Sequence, residues 1–353
     1  MSVVVEFRAR RAVATKVAAL LIAIILVVVI VGAYFLYPRS AGPPTSASLS
    51  LESAPNANDA PIYYGVQQGI FSSEGVNVTV EAGKGTSGTI ANVADGSVDF
   101  GLADTPGMIF AIANANITNV RIVAILYQVN FYAVFYNKAA ISNISDLDGK
   151  SGALSAPSIS TLTPMFDLFA KMNGLNLSSM QLQYSTSSLF TYLVAQGKVD
   201  FTTNKITNLP AIQAAAAESG IQVGDFLLSN YGINTYGEAL LTTTQMIQQN
   251  PSLVQKMVTA VMKSMIAAEG DPTAAVSALV KAQPQLNYSL VLPGFELDLA
   301  CCTKNASSST DPLTFGYISP QEISQTVNFV VEGAGIRSVN ASTIYTDEFT
   351  KPS

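Results

Sequence analysis

Two stretches of the sequence decide the fold: IANVADGSVDFGLAD at residues 90–104 and YLVAQGKVDFTTN at residues 192–204. In both, a helix-like run is followed by Gly, any residue, Val, Asp, Phe and a strand with a polar end. Gly is favoured where a helix ends, and the apolar run after it is typical of a buried strand. Polar strand ends of α/β sheets meet at binding crevices. The repeat therefore predicts two similar lobes that face one cleft.

Alternating helix and strand patterns surround both copies of the repeat. Strands are predicted at residues 47–52, 76–81, 98–102, 120–126, 132–136, 151–154, 181–184 and 225–228. Helices are predicted at residues 61–69, 86–94, 106–115, 161–173, 189–196, 211–219, 250–269, 273–283 and 319–333. This alternation indicates an α/β protein with helices on both faces of each sheet. Lobe 1 is expected to contain residues 51–136 and 232–353, and lobe 2 residues 137–231.

The N-terminal region differs from the rest in composition. Residues 1–16 form a basic head, residues 17–37 carry no charged side chain, and residues 38–50 are rich in Pro, Gly, Ser and Ala. An apolar run of about 20 residues fits a transmembrane helix, with the basic flank retained in the cytoplasm. We expect a single-pass anchor at 17–37, a linker at 38–50 and a binding module outside the cell. A cleaved signal peptide is the alternative.

Composition excludes several classes of protein. The net charge is −6 and no basic patch follows the head, which argues against nucleic-acid binding. The chain has no His, so it lacks a Ser-His-Asp triad and an H-E-x-x-H zinc site, and we expect no enzyme activity. No motif for a cofactor or metal is present. Cys301 and Cys302 are adjacent and could form a disulfide or remain thiols.

Seven Asn-X-Ser/Thr sequences occur, starting at residues 77, 116, 143, 176, 287, 305 and 340. Such sequences are acceptors for N-linked glycans on exported proteins. Together with the predicted anchor, they favour a glycosylated protein of the cell surface.

Candidate ligand-binding residues lie at the ends of predicted strands and the starts of helices. They are Thr86 and Ser87, Asp104 and Thr105, Tyr127 and Gln128, Ser158 and Ser160, Asn204, and Tyr236 and Glu238. Hydroxyls and backbone N–H groups at helix starts favour anions and polar oxygens, and Tyr can stack on a flat ligand. Each of these residues also has an ordinary interpretation as a helix cap or a core residue.

Several short motifs, in a fixed order, resemble a known family. They are PNAND at residues 55–59 with Ile62 and Tyr63, GIF at 69–71 with EGV at 74–76, DLDGK at 146–150, YG at 231–232 and 236–237, and YTDEF at 345–349. Their order resembles the type II periplasmic binding protein fold of ABC-transporter solute receptors. Within that fold, the chain is similar to the family that binds thiamine pyrimidine precursors, riboflavin and sulfonates. The resemblance covers residues 47–349.

The resemblance implies an extracytoplasmic receptor that closes two lobes around a small, heteroaromatic nutrient. It adds Asn58, Asp59 and Tyr63 to the candidate ligand-binding residues, with Asp59 standing where the pyrimidine-precursor branch has His. The expected partners are a membrane permease and its ATPase, the receptor being a monomer on an archaeal or Gram-positive-like surface. An alkanesulfonate or nitrate receptor, an enzyme on the same fold and a membrane-anchored sensor are the alternatives.

Overall fold

The computed structural model describes residues 44–157, 160–186, 188–303 and 312–350, and the strands of these residues form two five-stranded sheets. The first sheet contains β1 (Thr45–Ser50), β2 (Val76–Glu81), β3 (Phe100–Asp104), β4 (Val120–Ile125) and β10 (Glu238–Thr243). The second contains β5 (Tyr132–Asn137), β6 (Ser151–Ser155), β7 (Gln181–Ser185), β8 (Phe201–Lys205) and β9 (Val223–Leu227). The prediction of two α/β lobes is confirmed.

The two sheets have the same topology. Their strand orders are β2-β1-β3-β10-β4 and β7-β6-β8-β5-β9. In each sheet the fourth strand, β10 or β5, runs antiparallel to both neighbours, while the first three strands pair in parallel. Each antiparallel strand directly follows a segment that crosses between the lobes. The sheets are therefore mixed, and each lobe is completed by the strand with which the chain enters it.

Two predicted boundaries differ from the structure. Strand β5 pairs with β8 and β9, so residues 132–136 belong to lobe 2 and the boundary at 136/137 falls one strand too late. Strand β1 begins at Thr45, within the stretch predicted as a linker. Small residues such as Ser and Ala suggested a flexible tether, but Ala47 and Leu49 are buried and alternate as one face of a half-buried strand requires.

Helices cover the sheets and connect the strands. In chain order they are α1 (Ala60–Gln67), α2 (Ile70–Ser73), α3 (Thr86–Ala94), α4 (Thr105–Ala115), α5 (Leu162–Met172), α6 (Tyr192–Ala195), α7 (Leu209–Glu218), α8 (Thr244–Gln249), α9 (Pro251–Gly270), α10 (Pro272–Ala282), α11 (Tyr288–Cys302), α12 (Pro312–Phe315) and α13 (Pro320–Ala334). Local signals explain their ends. For example, α13 starts with Pro320 after Ser319, whose Oγ accepts a hydrogen bond from Glu322 N, and its last residue, Ala334, is followed by Gly335 with a φ of 62°.

The sequence pattern did not indicate α11. Its buried face consists of Val291, Gly294, Phe295, Asp298 and Cys302, and it contains Pro293. Gly and Asp on that face remove the apolar periodicity that identifies a helix. The small residue is required because a Cβ on Gly294 would lie 2.3 Å from the carbonyl oxygen of Thr207, just after β8. Helix α11 therefore packs closely against lobe 2.

The two Asp residues of the sequence repeat have equivalent roles. Asp99 Oδ2 accepts hydrogen bonds from the backbone N and Oγ of Ser48, at 2.8 and 3.0 Å. Asp200 Oδ2 accepts the same pair from Ser151, at 2.9 and 2.7 Å. Each carboxylate joins the residue before one strand, β3 or β8, to the neighbouring parallel strand, β1 or β6. The repeat in the sequence thus reflects a repeated structural contact.

Two crossing segments connect the lobes, at residues 126–131 and 228–237, and they bond to each other. Asn130 N donates to Thr235 O and Gly237 N donates to Tyr127 O, each at 2.9 Å. A Cβ on Gly237 would lie 2.8 Å from the carbonyl oxygen of Val129, so only Gly fits this close crossing. We call these two crossing segments the hinge.

No helix in the part of the chain that the structure describes is long and apolar enough to span a membrane. The predicted basic head and the span at residues 17–37 lie outside the described residues, as does the start of the linker.

Candidate functional site

Strand ends from both lobes bring charged side chains together at the cleft. Glu52 lies two residues after β1, Asp104 ends β3, and Glu238 begins β10 opposite Asp104. Lys205 ends β8 of lobe 2. We call these four residues, with Asn58, the interlobe cluster. None is more than 8% exposed to solvent.

Lys205 is the centre of the interlobe cluster. Its ammonium forms an ion pair with Glu52, and Nζ lies 3.6 Å from Glu238 Oε1 and 4.0 Å from Asp104 Oδ1. Nζ also lies 4.6 Å from the centroid of the Phe131 ring, within the range of a cation–π contact. Since Lys205 belongs to lobe 2 and the carboxyl groups to lobe 1, this ammonium connects the two lobes.

Neighbouring polar groups fix the orientation of the carboxyl groups. Thr86, at the start of α3, donates its hydroxyl to Glu52 Oε1. Asn58 Nδ2 donates to Glu238 Oε2 at 3.2 Å. The hydroxyl of Tyr127 donates to Asn58 O at 2.9 Å and so fixes the backbone that carries Asn58.

The cleft contains more buried carboxyl groups than buried cations. Asp59 and Asp298 are also buried, at 1% and 0% exposure, and face the interlobe cluster closely enough to interact with Lys205. An unpaired charge is unfavourable in a nonpolar interior, so such groups take up a proton or a cation. Burial accordingly raises the pKa of Asp59, Asp104 and Asp298 well above its usual range.

The ionised groups at neutral pH follow from the same balance. Burial raises the pKa of Glu238 to about 7, although Lys205 opposes the change. For Glu52 the effect of burial is outweighed by Lys205 and by hydrogen bonds, so its pKa lies below the usual value. Burial would lower the pKa of Lys205, but the carboxylates around it raise it well above normal. The cleft therefore holds one charged pair, Glu52 and Lys205, among neutral or near-neutral carboxyl groups.

Several polar atoms of the cleft have no hydrogen-bond partner among the described residues. They are Asn58 Oδ1, Asp104 Oδ1, Glu238 Oε1 and the hydroxyl of Tyr132. Those of Asp104 and Glu238 are the oxygens that face Lys205 beyond hydrogen-bond distance. Buried polar atoms in proteins are normally hydrogen-bonded. Three carbonyl or carboxyl oxygens are thus positioned to accept hydrogen bonds from a group that enters the cleft.

Aromatic rings form the apolar wall beside these oxygens. The ring centroids of Tyr127 and Phe131 are 5.2 Å apart in an edge-to-face contact, and those of Phe131 and Tyr132 are 6.0 Å apart. All three residues are almost fully buried. A ring wall beside a few polar groups is the usual composition of a small-molecule site.

The structure brings about half of the predicted site residues to the cleft. Asn58, Asp59, Thr86, Asp104, Tyr127 and Glu238 lie in or against the interlobe cluster, and Asn204 Oδ1 accepts a hydrogen bond from Lys205 N at 2.8 Å. These positions agree with the rule that polar strand ends meet in a crevice.

The other predicted residues have different contacts. Tyr63 accepts from Gln283 Nε2, Thr105 Oγ1 donates to Gly237 O, and Ser160 Oγ accepts from Leu162 N. Ser87 is exposed, and Ser158 lies outside the described residues. The side chains of Tyr63, Thr105 and Ser160 cap or connect elements, which is the ordinary interpretation of such residues.

Gln128 and Tyr236 line a separate small cavity of about 100 Å³ behind the hinge. The Tyr236 hydroxyl donates to Glu322 Oε2 at 2.6 Å and so turns away from the interlobe cluster. A larger groove of about 690 Å³ is lined by residues of α4, α5 and α13, and none of its lining residues belongs to the interlobe cluster. We therefore locate the site by its chemistry and not by open volume.

Four residues of the cleft were not predicted from the sequence: Glu52, Tyr132, Lys205 and Asp298. Two had a usable signal. Glu52 follows β1 as Asp104 ends β3, and Lys205 directly follows the predicted Asn204 at the end of the repeated strand.

A disulfide joins Cys301 and Cys302 at the end of α11. Their sulfur atoms and a carboxylate oxygen of Asp298 lie within 4.8 Å of one another. Because both sulfurs are in the disulfide, no thiolate is present to bind a metal ion. Cys302 O accepts a hydrogen bond from Val129 N at 3.3 Å, so the disulfide lies against the hinge.

Comparison with known proteins identifies the family. The model of the family described as NMT1/THI5 like matches residues 56–275 of the 353 residues. The chain belongs to this family. The match includes all of lobe 2, the hinge and most of the interlobe cluster, except Glu52. No curated protein is significantly similar to this chain in sequence.

Solved structures support the fold of this NMT1/THI5-like protein. The aliphatic sulphonate binding protein SsuA of Escherichia coli is 12% identical, with a TM-score of 0.66 over 88% of this chain and 95% of that chain. The Candida albicans CA3427 product, which has the periplasmic binding protein fold, is 13% identical, with a TM-score of 0.64 over 88% and 98%. The nitrate-binding protein NrtA of Synechocystis PCC 6803 is 14% identical, with a TM-score of 0.56 over 70% and 69%. At these identities the likeness establishes the two-lobed periplasmic binding protein fold.

Proposed function

We propose that this chain is the extracytoplasmic solute-binding receptor of an ABC importer, and that the interlobe cluster is its ligand site. A small nutrient would enter between open lobes and be enclosed when they rotate about the hinge. The closed receptor would then present both lobes to a membrane permease coupled to an ATPase. The family and the fold support this role, as does the position of the interlobe cluster between the lobes.

The chemistry of the site favours a ligand rich in hydrogen-bond donors. The observation that carries this proposal is the set of buried acceptor oxygens on Asn58, Asp104 and Glu238 that lack donors within the described residues. An amino-substituted heteroaromatic ring, such as a thiamine pyrimidine precursor, supplies N–H donors in one plane and a face that can lie on Phe131. The N–H edge of such a ring resembles an amidine and can carry a positive charge. It would take the place of the Lys205 ammonium beside the carboxyl groups.

An anionic ligand is the second candidate, because proteins with this fold include receptors for sulfonates and nitrate. The carboxyl groups of the cleft disfavour it, since an anion would face Glu52 and the ionised fraction of Glu238 with only Lys205 as its partner. Riboflavin also offers hydrogen-bond donors, on its uracil-like edge and its hydroxyl groups. Its ring system is larger than an aminopyrimidine and needs a wider opening between the lobes.

Thermal unfolding of the full-length protein tests the proposal. A bound ligand at 100 times its Kd stabilises the native state by about 2.7 kcal/mol. We expect an aminopyrimidine precursor to raise the Tm, riboflavin to raise it less, and alkanesulfonate or nitrate to leave it unchanged. A shift with the anions alone would reject the donor-rich ligand. Recovery of the bound compound in altered form, by mass spectrometry, would instead support an enzyme.

A further inference from the structure

The Asn-X-Ser/Thr sequences that the structure describes lie on the surface and away from the cleft. Six of them have a described Asn: Asn77, Asn116, Asn143, Asn176, Asn287 and Asn340. All six Asn side chains are exposed. The Asn residues nearest the cleft, Asn58, Asn130, Asn204 and Asn208, are buried or half-buried, and none has Ser or Thr two positions later. We propose that the exposed sequences carry N-linked glycans and that the cleft side of the molecule stays free of them.

Five of the six sites lie at sheet edges opposite the cleft. In lobe 1, Asn77 is at the start of β2, and Asn116 and Asn340 lie close to the start of β4, where Ile122 N donates to Ile344 O at 2.8 Å. The interlobe cluster is formed by the other ends of these parallel strands. Glycans at the three lobe 1 sites would therefore point away from the cleft.

In lobe 2, Asn143 and Asn176 precede β6 and β7, at the edge opposite Lys205. Their turns contact each other, because Asn176 N donates to Asp148 Oδ1 at 2.8 Å and Gly149 N donates to Ser179 Oγ at 3.0 Å. The sixth site, Asn287, precedes α11. That helix has 15 residues, so Asn287 lies about 22 Å from its hinge end at 1.5 Å per residue.

Four of the sites share one local geometry. In each, the Ser two positions later donates its hydroxyl to the Asn Oδ1; the distances are 2.7 Å at Asn176, 2.8 Å at Asn287 and 2.9 Å at Asn340, and Asn143 has the same contact. The amide nitrogens differ. Asn143 Nδ2 donates to Asp146 Oδ2 at 3.1 Å, whereas those of Asn176, Asn287 and Asn340 donate no hydrogen bond within the described residues. The three free nitrogens are available for modification without loss of a contact.

The modification is a group transfer to these nitrogens. The C1–oxygen bond of a polyisoprenyl-phosphate-linked saccharide breaks, and a C1–Nδ2 bond forms. The amide loses one proton, and the lipid phosphate leaves with the bonding electron pair. The saccharide donor and an oligosaccharyltransferase are the required co-reactants, and both act on chain that has left the cytoplasm. The proposal therefore rests on the proposed function only in placing residues 44–350 outside the cell.

Mass spectrometry of the full-length protein from the cells that make it tests this proposal. We expect an intact mass above that of the polypeptide, with saccharide-bearing peptides at all six sites, the highest occupancy at Asn176, Asn287 and Asn340, and lower occupancy at Asn143. Asn176→Gln should remove one saccharide mass. The control Asn114→Gln, at an exposed Asn outside any such sequence, should remove none. An intact mass equal to that of the polypeptide would overturn the proposal, as would saccharide loss in the control. A ligand-dependent Tm shift in the unmodified protein would leave the receptor function standing.

Discussion

Replacing Lys205 by Met removes the ammonium from the interlobe cluster but keeps the apolar stem of the side chain. Glu52 then remains buried and ionised with the Thr86 hydroxyl but no cation beside it, and removal of one member of a buried ion pair destabilises by roughly 3–5 kcal/mol. Opening the lobes relieves this penalty, because the carboxylate becomes hydrated. Since 1.4 kcal/mol is about a factor of ten, the closed form should lose a factor of roughly 100 or more relative to the open form. Small-angle X-ray scattering should show a larger radius of gyration.

The control for this experiment is Lys198→Met, because Lys198 is exposed on the same lobe. This variant should leave the radius of gyration unchanged. Its free energy of unfolding should stay within about 0.5 kcal/mol of the native value. Adding Glu52→Gln to Lys205→Met removes the unpaired charge and should restore part of the closure, which a double-mutant cycle measures. If Lys205→Met behaves like the control in both measurements, the ion pair does not hold the lobes together and the account of the cleft is wrong.

Three further predictions follow from described contacts. The pKa of Glu238 is raised by burial from 4.5 to about 7, so its contribution to stability is full below pH 4.5 and is lost as the pH rises through 7. At 1.36 kcal/mol per pKa unit this is about 3 kcal/mol in urea unfolding, and Glu238→Gln should remove this share of the pH dependence while that of Asp59, Asp104 and Asp298 stays; an unchanged slope contradicts the assignment. Asp200→Ala removes two hydrogen bonds to Ser151 and should lower the free energy of urea unfolding by about 2 kcal/mol, an effect that is absent if the contact is not formed. Gly294→Ala places a Cβ 2.3 Å from Thr207 O and should raise the free energy of lobe closure by about 1–3 kcal/mol, which scattering would show as a larger radius of gyration. The control Gly270→Ala adds a Cβ in open space and should leave the radius of gyration unchanged.

The fold could be predicted because its signals are local. The Gly that ends a helix, the buried Val-Asp-Phe strand after it and the second copy of both specify two similar α/β units. The lobe boundary could not be predicted as well, because the sheet to which β5 belongs is decided by pairing with β8 and β9, far along the chain. Helix α11 was not predicted for a related reason. Gly294 and Asp298, on its buried side, face residues that are distant in the sequence, so the local pattern does not show a helix.

The site was predicted in part for the same reason. Strand ends indicated Asp104 and Glu238, and the motif at residues 55–59 indicated Asn58. Tyr236 sits at an equally suggestive position, but its hydroxyl bonds to Glu322, 86 residues later, and is directed out of the cleft. Lys205 was missed because a Lys is usually exposed, and only the assembled cleft shows that lobe 1 supplies the carboxyl groups that keep it buried.

The position of β10 has a consequence for how the chain acquires its structure. All five strands of lobe 2 lie within residues 132–227, so that sheet can form as soon as this stretch is available. The first sheet cannot, because β10 belongs between β3 and β4 and comes after the whole of lobe 2. Until residue 243 has left the ribosome or the export channel, β3 and β4 each have an edge without a partner, and such edges pair readily with other chains. Lobe 1 of this protein is therefore the lobe that finishes folding last and is most exposed to aggregation on the way.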